Sequence, residues 1–144
     1  VTDLRAVGCP VGLGVDGVAS NEVGGLFGEL RQALYTARLR ELRPDALMPA
    51  DVVEMGTREG ARCLGLDDVG SVQVGMRADL AVWPGDDLGD IADALTALVL
   101  GPDRRVRHLF VEGRAVVADG LLLGTDLAEA HRDLAGRARR LWEA

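Results

Sequence analysis

The apolar residues change period at Gly65, and that change limits the folds open to the chain. Before it they recur at helical spacing. Leu26, Leu30, Ala33, Leu34 and Ala37 predict a helix over about 23–42, with Arg31, Arg38 and Arg40 facing away and Pro44 and Asp45 closing it. Val52, Val53, Ala61 and Leu64 predict a second over about 50–64, with Pro49 at its first position. Gly56 and Gly60 divide that segment into two short helices. After Gly65 the spacing moves toward two. Residues 71–83 read as strand, tight turn at Val74–Arg77, and strand; 106–120 read as a hairpin about Glu112-Gly113, its edge extended by Leu121 to Leu123. Between them a short helix is predicted around 90–99. A helical stripe returns in Leu127, Ala130, Leu134, Ala138 and Leu141, opened by a capping-box-like pair of Asp126 and Glu129. This order predicts an α/β chain in three parts: 1–65, 66–124 and a closing helix over 125–144 packed across the rest.

The opening residues carry the chemistry. Residues 2–7 resemble the end of a helix closed by Gly8, and 9–15 a buried strand with Val11, Leu13 and Val15 on one face. A polar loop over 16–22 follows that strand's C-terminal end. Gly12, Gly14 and Gly17 stand in G-x-G-x-x-G spacing, but a dinucleotide turn should open a helix directly and lead to a second strand ending in an acid. Here a polar loop intervenes, and Asp16 would set a negative charge against the diphosphate. The dinucleotide reading is rejected. Two readings of Asp16 then stand. Asp16-Gly17 is a common turn pair. A carboxylate at the C-terminal tip of a buried strand is also where parallel α/β barrels build ligand and metal sites.

Composition narrows the classes. The chain has 144 residues, 48% of them apolar, which suffices for one domain, and so few aromatics that the core must be Leu, Val and Ala. A net charge of −7 argues against nucleic acid as a partner, and the cluster Arg104, Arg105 and Arg107 reads as a solvated turn. No apolar run reaches the ~20 residues of a membrane span, and no leader-like segment opens the chain, so no membrane contact and a cytoplasmic location are expected. Cys9 and Cys63 are expected to be buried, inert thiols. The start at Val1, without cap or tail, reads as a piece of something longer.

Against this background "PVGLGVDGVASNE" (10–22) resembles the eighth strand and following loop of the amidohydrolase superfamily, and Val15-Asp16-Gly17-x-x-Ser20-Asn21 is most similar to its 8-oxoguanine deaminases and related aminohydrolases. "LFGELRQALYTARLR" (26–40) resembles the helix after that loop. The set Gly60-Ala61, Leu64-Gly65, Gly70-Ser71, Gly75 and Ala78-Asp79-Leu80 resembles the family's passage into its small β-sandwich, and 106–122 its terminal hairpin.

The resemblance implies a C-terminal fragment of a metal-dependent (β/α)8 barrel: last strand and helices over 1–65, part of the β-sandwich over 66–124, then the C-terminal helix. It implies hydrolytic deamination of an amino-heterocycle, 8-oxoguanine or a related purine or triazine, by a water activated on zinc or iron. Asp16 would bind the metal and handle the proton. Ser20 and Asn21 would border the substrate ring, with Asn21 offering a donor–acceptor pair. The family's other ligands are histidines. This chain has only His108, in the late hairpin, and His131, on the closing helix, both read as surface or packing residues. Asp79, Asp67-Asp68 and Asp86-Asp87 read as turn or solvated acids. The chain alone is therefore expected to hold no catalytic metal and to be inactive without a missing N-terminal part on the order of 250 residues. The intact protein is expected to form a homo-oligomer. The rival is a stand-alone, non-catalytic α+β binding or assembly module, which needs no histidines.

Overall fold

Helix α2 (Leu26–Glu41) gathers the core. Its Leu30, Leu34 and Ala37 are buried against Leu47, against Val52 and Met55 of α3 (Pro49–Met55), and against Val99 of α5 (Ala94–Leu100). These side chains stand at helical spacing on α2, so forming the helix assembles the apolar face that α3 and α5 cover. The computed structural model describes residues 1–17, 20–21, 24–85 and 93–143. In addition to these three helices it holds α1 (Thr2–Ala6), α4 (Arg58–Cys63) and α6 (Leu127–Trp142). Four strands, β1 (Leu80–Val82), β2 (His108–Val111), β3 (Arg114–Ala118) and β4 (Leu121–Leu122), form one antiparallel sheet in the order β1-β2-β3-β4.

Local chemistry explains most boundaries. Asp51 reaches back to the Met48 N–H at 2.7 Å and opens α3 behind Pro49. Gly56 ends α3, and α4 begins at Arg58, so the two-helix division predicted for 50–64 is present. The hairpin between β2 and β3 turns on Glu112 and Gly113 at φ of 50° and 76°. Asp119 and Gly120, at 49° and 78°, turn β3 into β4. Positive φ at both central residues matches the right-handed strand twist, which is why the second position is glycine each time. Asp79 accepts from the Glu112 N–H at 2.7 Å, tying β1 to that turn and giving this acid the structural role expected of it.

Segment 9–17 is clamped onto α3 and α4 along one face. Arg5 on α1 lies 2.6 Å from Glu59, 3.2 Å from Asp51 and 3.6 Å from Glu54. Glu59 also accepts from the Val11 N–H at 3.3 Å, and Met55 accepts from the Leu13 N–H at 3.3 Å. Gly12 meets α4 closely, because a Cβ there would stand 3.0 Å from Gly60 Cα.

Four expectations are corrected. Residues 9–15 form no strand among the described residues. Val11, Leu13 and Val15 are half-buried, alternating with exposed neighbours, but a strand requires a hydrogen-bonded neighbour and none is present. Within 71–83 the turn lies at Val74-Gly75, inside the predicted span, but only Leu80–Val82 pairs, and the residues before the turn have no ladder partner among the described residues. Cys9 and Cys63 are exposed, since segment 9–12 lies over α4 without cover on its outer side. Helix α6 has its Asp126 cap, accepting from the Ala128 and Glu129 N–H groups, yet buries none of its residues, so it is not packed across the other parts. The predicted start of helix α5 and Asp86-Asp87 lie outside the described residues.

Candidate active site

Asp16 stands where the clamped segment leaves the helical body. Its backbone is left-handed, with φ of 61°, a region Asp enters more readily than most residues because its short side chain bonds locally. That bond is present: Asp16 Oδ1 accepts from the Gly17 N–H at 2.7 Å. The side chain is exposed, and its second oxygen makes no hydrogen bond among the described residues. The carboxylate is thus oriented by one backbone N–H and open on the other side.

The loop beyond it folds around one carbonyl. Gly17 O accepts from the Ser20 N–H at 2.9 Å, the Asn21 N–H at 3.0 Å and the Ser20 hydroxyl at 3.1 Å. Ser20 therefore closes the turn with its own side chain. Asn21 is half-buried, and its Nδ2 donates to Val15 O at 2.8 Å and to Glu29 Oε1 at 3.0 Å. The three residues singled out in the sequence thus lie in one loop. Two further residues bear on it that sequence reasoning missed: Glu29, in the first turn of α2, and Glu59, which anchors Val11. Neither has a sequence signal, because each acts across the fold on a backbone or amide group.

The histidines lie elsewhere. His108 is on β2, its Nδ1 accepting from the Asp119 N–H at 3.4 Å, and His131 is exposed on α6. Among the described residues no three His, Cys, Asp or Glu side chains are grouped to hold a metal ion. A hollow of about 290 Å³ beside Leu13, Glu29 and Ala33 does not reach Asp16, and a larger one of about 390 Å³ lies between Phe27, Trp83 and Leu98. No helix of the described residues is long and apolar enough to cross a membrane.

Known proteins resemble the chain over most of its length. The chain is 41% identical to the 8-oxoguanine deaminase of Pseudomonas aeruginosa, covering 88% of this chain and 28% of that protein. It is 36% identical to an isoxanthopterin deaminase of an unknown prokaryotic organism, covering 98% of this chain and 32% of that one. The crystal structure of an adenosine deaminase from Xanthomonas campestris with bound zinc superposes with a TM-score of 0.93 at 26% identity, over 99% of this chain and 34% of that one. The chain thus spans about a third of the length of the curated relatives it matches. Its α/β fold is that of a portion of these hydrolases. The sequence profile of the amidohydrolase family matches residues 2–116, four-fifths of the chain, and the chain belongs to that family.

Proposed function

We propose that the chain is the C-terminal third of a deaminase acting on an amino-substituted heterocycle, 8-oxoguanine or a related purine, pterin or triazine, with Asp16 as its proton carrier. The observation that carries this reading is the presentation of Asp16: one oxygen held by the Gly17 N–H, the carboxylate otherwise exposed at the end of a segment fixed to the core. The deaminase names of the relatives at 41% and 36% identity supply the substrate class.

Asp16 suits the proton work of hydrolytic deamination. Water adds to the amino-bearing ring carbon and gives one proton to the carboxylate. The carboxylic acid so formed returns that proton to the amine nitrogen as the C–N bond breaks. Ammonia leaves, the new oxygen stays as the oxo group, and its remaining proton passes to the ring. Zinc or iron belongs to this reading of the intact enzyme, but the described residues contribute a single oriented carboxylate and do not by themselves make an ion site. The proton steps are accordingly assigned to Asp16 alone. The β-sandwich membership of 66–124 and the barrel membership of 1–65 form part of the same proposal.

The test is ammonia release from 8-oxoguanine and related amino-heterocycles by the protein made from its complete gene, with and without a chelator. Asp16→Asn keeps shape and hydrogen-bonding capacity but removes the base. It should lower kcat by about 10²–10⁴-fold, the usual contribution of a positioned acid–base group, with the melting temperature unchanged. Full activity in Asp16→Asn would overturn the role of Asp16, and no ammonia from any of these compounds with the complete protein would favour the non-catalytic module.

A further inference from the structure

We infer that Asn21 is a positioning residue that acts through Asp16, and not a contact to the substrate ring. This rests on Asp16 being the proton carrier proposed above. An amide nitrogen carries two hydrogens. Those of Asn21 are directed to Val15 O at 2.8 Å and to Glu29 Oε1 at 3.0 Å, so its donor side is spent within the protein. The first of these bonds has a specific consequence. The Val15 carbonyl belongs to the peptide plane from which the Asp16 Cα projects, so holding that oxygen holds the axis about which φ of Asp16 turns. That φ is 61°, a left-handed conformation costly to most L-residues, and a bond that holds the preceding peptide adds to the local Gly17 bond in keeping it.

The second bond supplies the anchor. Glu29 precedes the buried Leu30 on α2, and α2 is the helix around which the core forms. Asn21 therefore links a rigid helix to the peptide carrying the proposed proton carrier. The Gly17 N–H fixes one carboxylate oxygen from the far side, and the Asn21 N–H bond to Gly17 O at 3.0 Å closes the loop between the two. Asp16 is bracketed: the peptide before it is held by Asn21, and the residue after it is held by the turn that Asn21 completes.

The experiment compares Asn21→Ala, Glu29→Ala, Glu29→Gln and the double alanine variant in the protein made from its complete gene, with Asp16→Asn as reference. Loss of positioning without loss of substrate contact should lower kcat about 10–100-fold while KM stays within about threefold, because small misplacements of a catalytic group act on the chemical step. Glu29→Ala should give the same signature, and the double variant should be no worse than Asn21→Ala alone, because both remove one linkage. Glu29→Gln retains a carbonyl acceptor and should return kcat to within about threefold of wild type. If Asn21→Ala does not fold, the Glu29 pair carries the same comparison. A raised KM with unchanged kcat in Asn21→Ala, or normal turnover in Glu29→Ala beside a dead Asp16→Asn, overturns the positioning role and leaves Asp16 standing. An active Asp16→Asn, or no ammonia from any amino-heterocycle, overturns both.

Discussion

At the scale of single residues, the two glycines before Asp16 look alike in sequence and differ in structure. A Cβ on Gly12 would stand 3.0 Å from Gly60 Cα and 3.5 Å from Cys63 Sγ. A Cβ on Gly14 meets nothing within 4 Å. The neighbour at Gly12 is backbone, and Gly60 has little room to yield, since its own Cβ position lies 3.0 Å from Met55 O. Gly12→Ala should therefore destabilise the protein by about 1 kcal/mol, the lower end of the usual cost of overpacking. Gly14→Ala should be neutral, or stabilising by up to about 1 kcal/mol through the unfolded chain. Denaturant midpoints of the two variants, with unchanged slopes, are the measurement. Equal midpoints would mean that segment 9–16 does not press on α4 as described. Gly12 thus serves packing, whereas Gly14 leaves the backbone beside Asp16 uncovered.

At the scale of elements, helix α5 tests the same kind of argument through a charge. Its cap, Asp93, accepts from the Leu95 N–H at 3.0 Å and from the Thr96 hydroxyl. The Thr96 hydrogen bond, followed by the backbone bonds, holds the Asp93 carboxyl below its ordinary range. A carboxylate whose folded value is depressed stabilises the fold above its unfolded value of about 3.9 and loses that contribution as pH falls through the lower folded one. Asp93→Asn keeps an acceptor without the charge. Melting temperatures of wild type and Asp93→Asn should differ at pH 6, with wild type higher, and converge below about pH 4. A gap independent of pH would place the effect in shape alone.

Elements of this local kind were legible in the sequence. The break at Gly56, the turn at Glu112-Gly113 and the cap at Asp126 each depend on residues a few positions apart, and each is present. What depends on distant partners was not legible. The alternation of Val11, Leu13 and Val15 is real, but a strand also needs a hydrogen-bonded neighbour, which no spacing within 9–15 encodes and none of the described residues supplies. The stripe on α6 is likewise real, and nothing in its spacing says what faces it. In the candidate site, Asp16 stands out by residue type and context. The bond from Asn21 to Glu29 joins residues eight apart across a loop, and no periodicity encodes it.

At the scale of the whole molecule, surface area carries the argument. The chain exposes 10303 Å², whereas a compact protein of 15.2 kDa exposes about 7,100 Å². The excess of about 3,000 Å² marks a chain that closes on itself much less than a compact domain of its mass does. Its apolar part is spread over the chain, Leu42, Leu64 and Val72 included, and on α6 it falls on the stripe predicted there, where Leu134 and Leu141 are 65% and 80% exposed. Apolar surface on this scale drives association whenever no cognate partner covers it. The 144-residue chain expressed alone should therefore sediment as concentration-dependent oligomers and bind a hydrophobic dye strongly. The protein made from its complete gene should sediment as one defined species with little dye bound. Replacing Leu134 and Leu141 by Glu separates the explanations. It should shift the isolated chain toward monomer, because the stripe no longer attracts its copies. On the proposal that the chain is one part of a larger hydrolase whose remainder covers the stripe, the same change should lower the melting temperature of the complete protein. A monomeric, dye-free chain would mean that the excess surface is sustained in water as it stands. The proposal that this chain is one part of a larger hydrolase would then lose its physical support, leaving only its family membership.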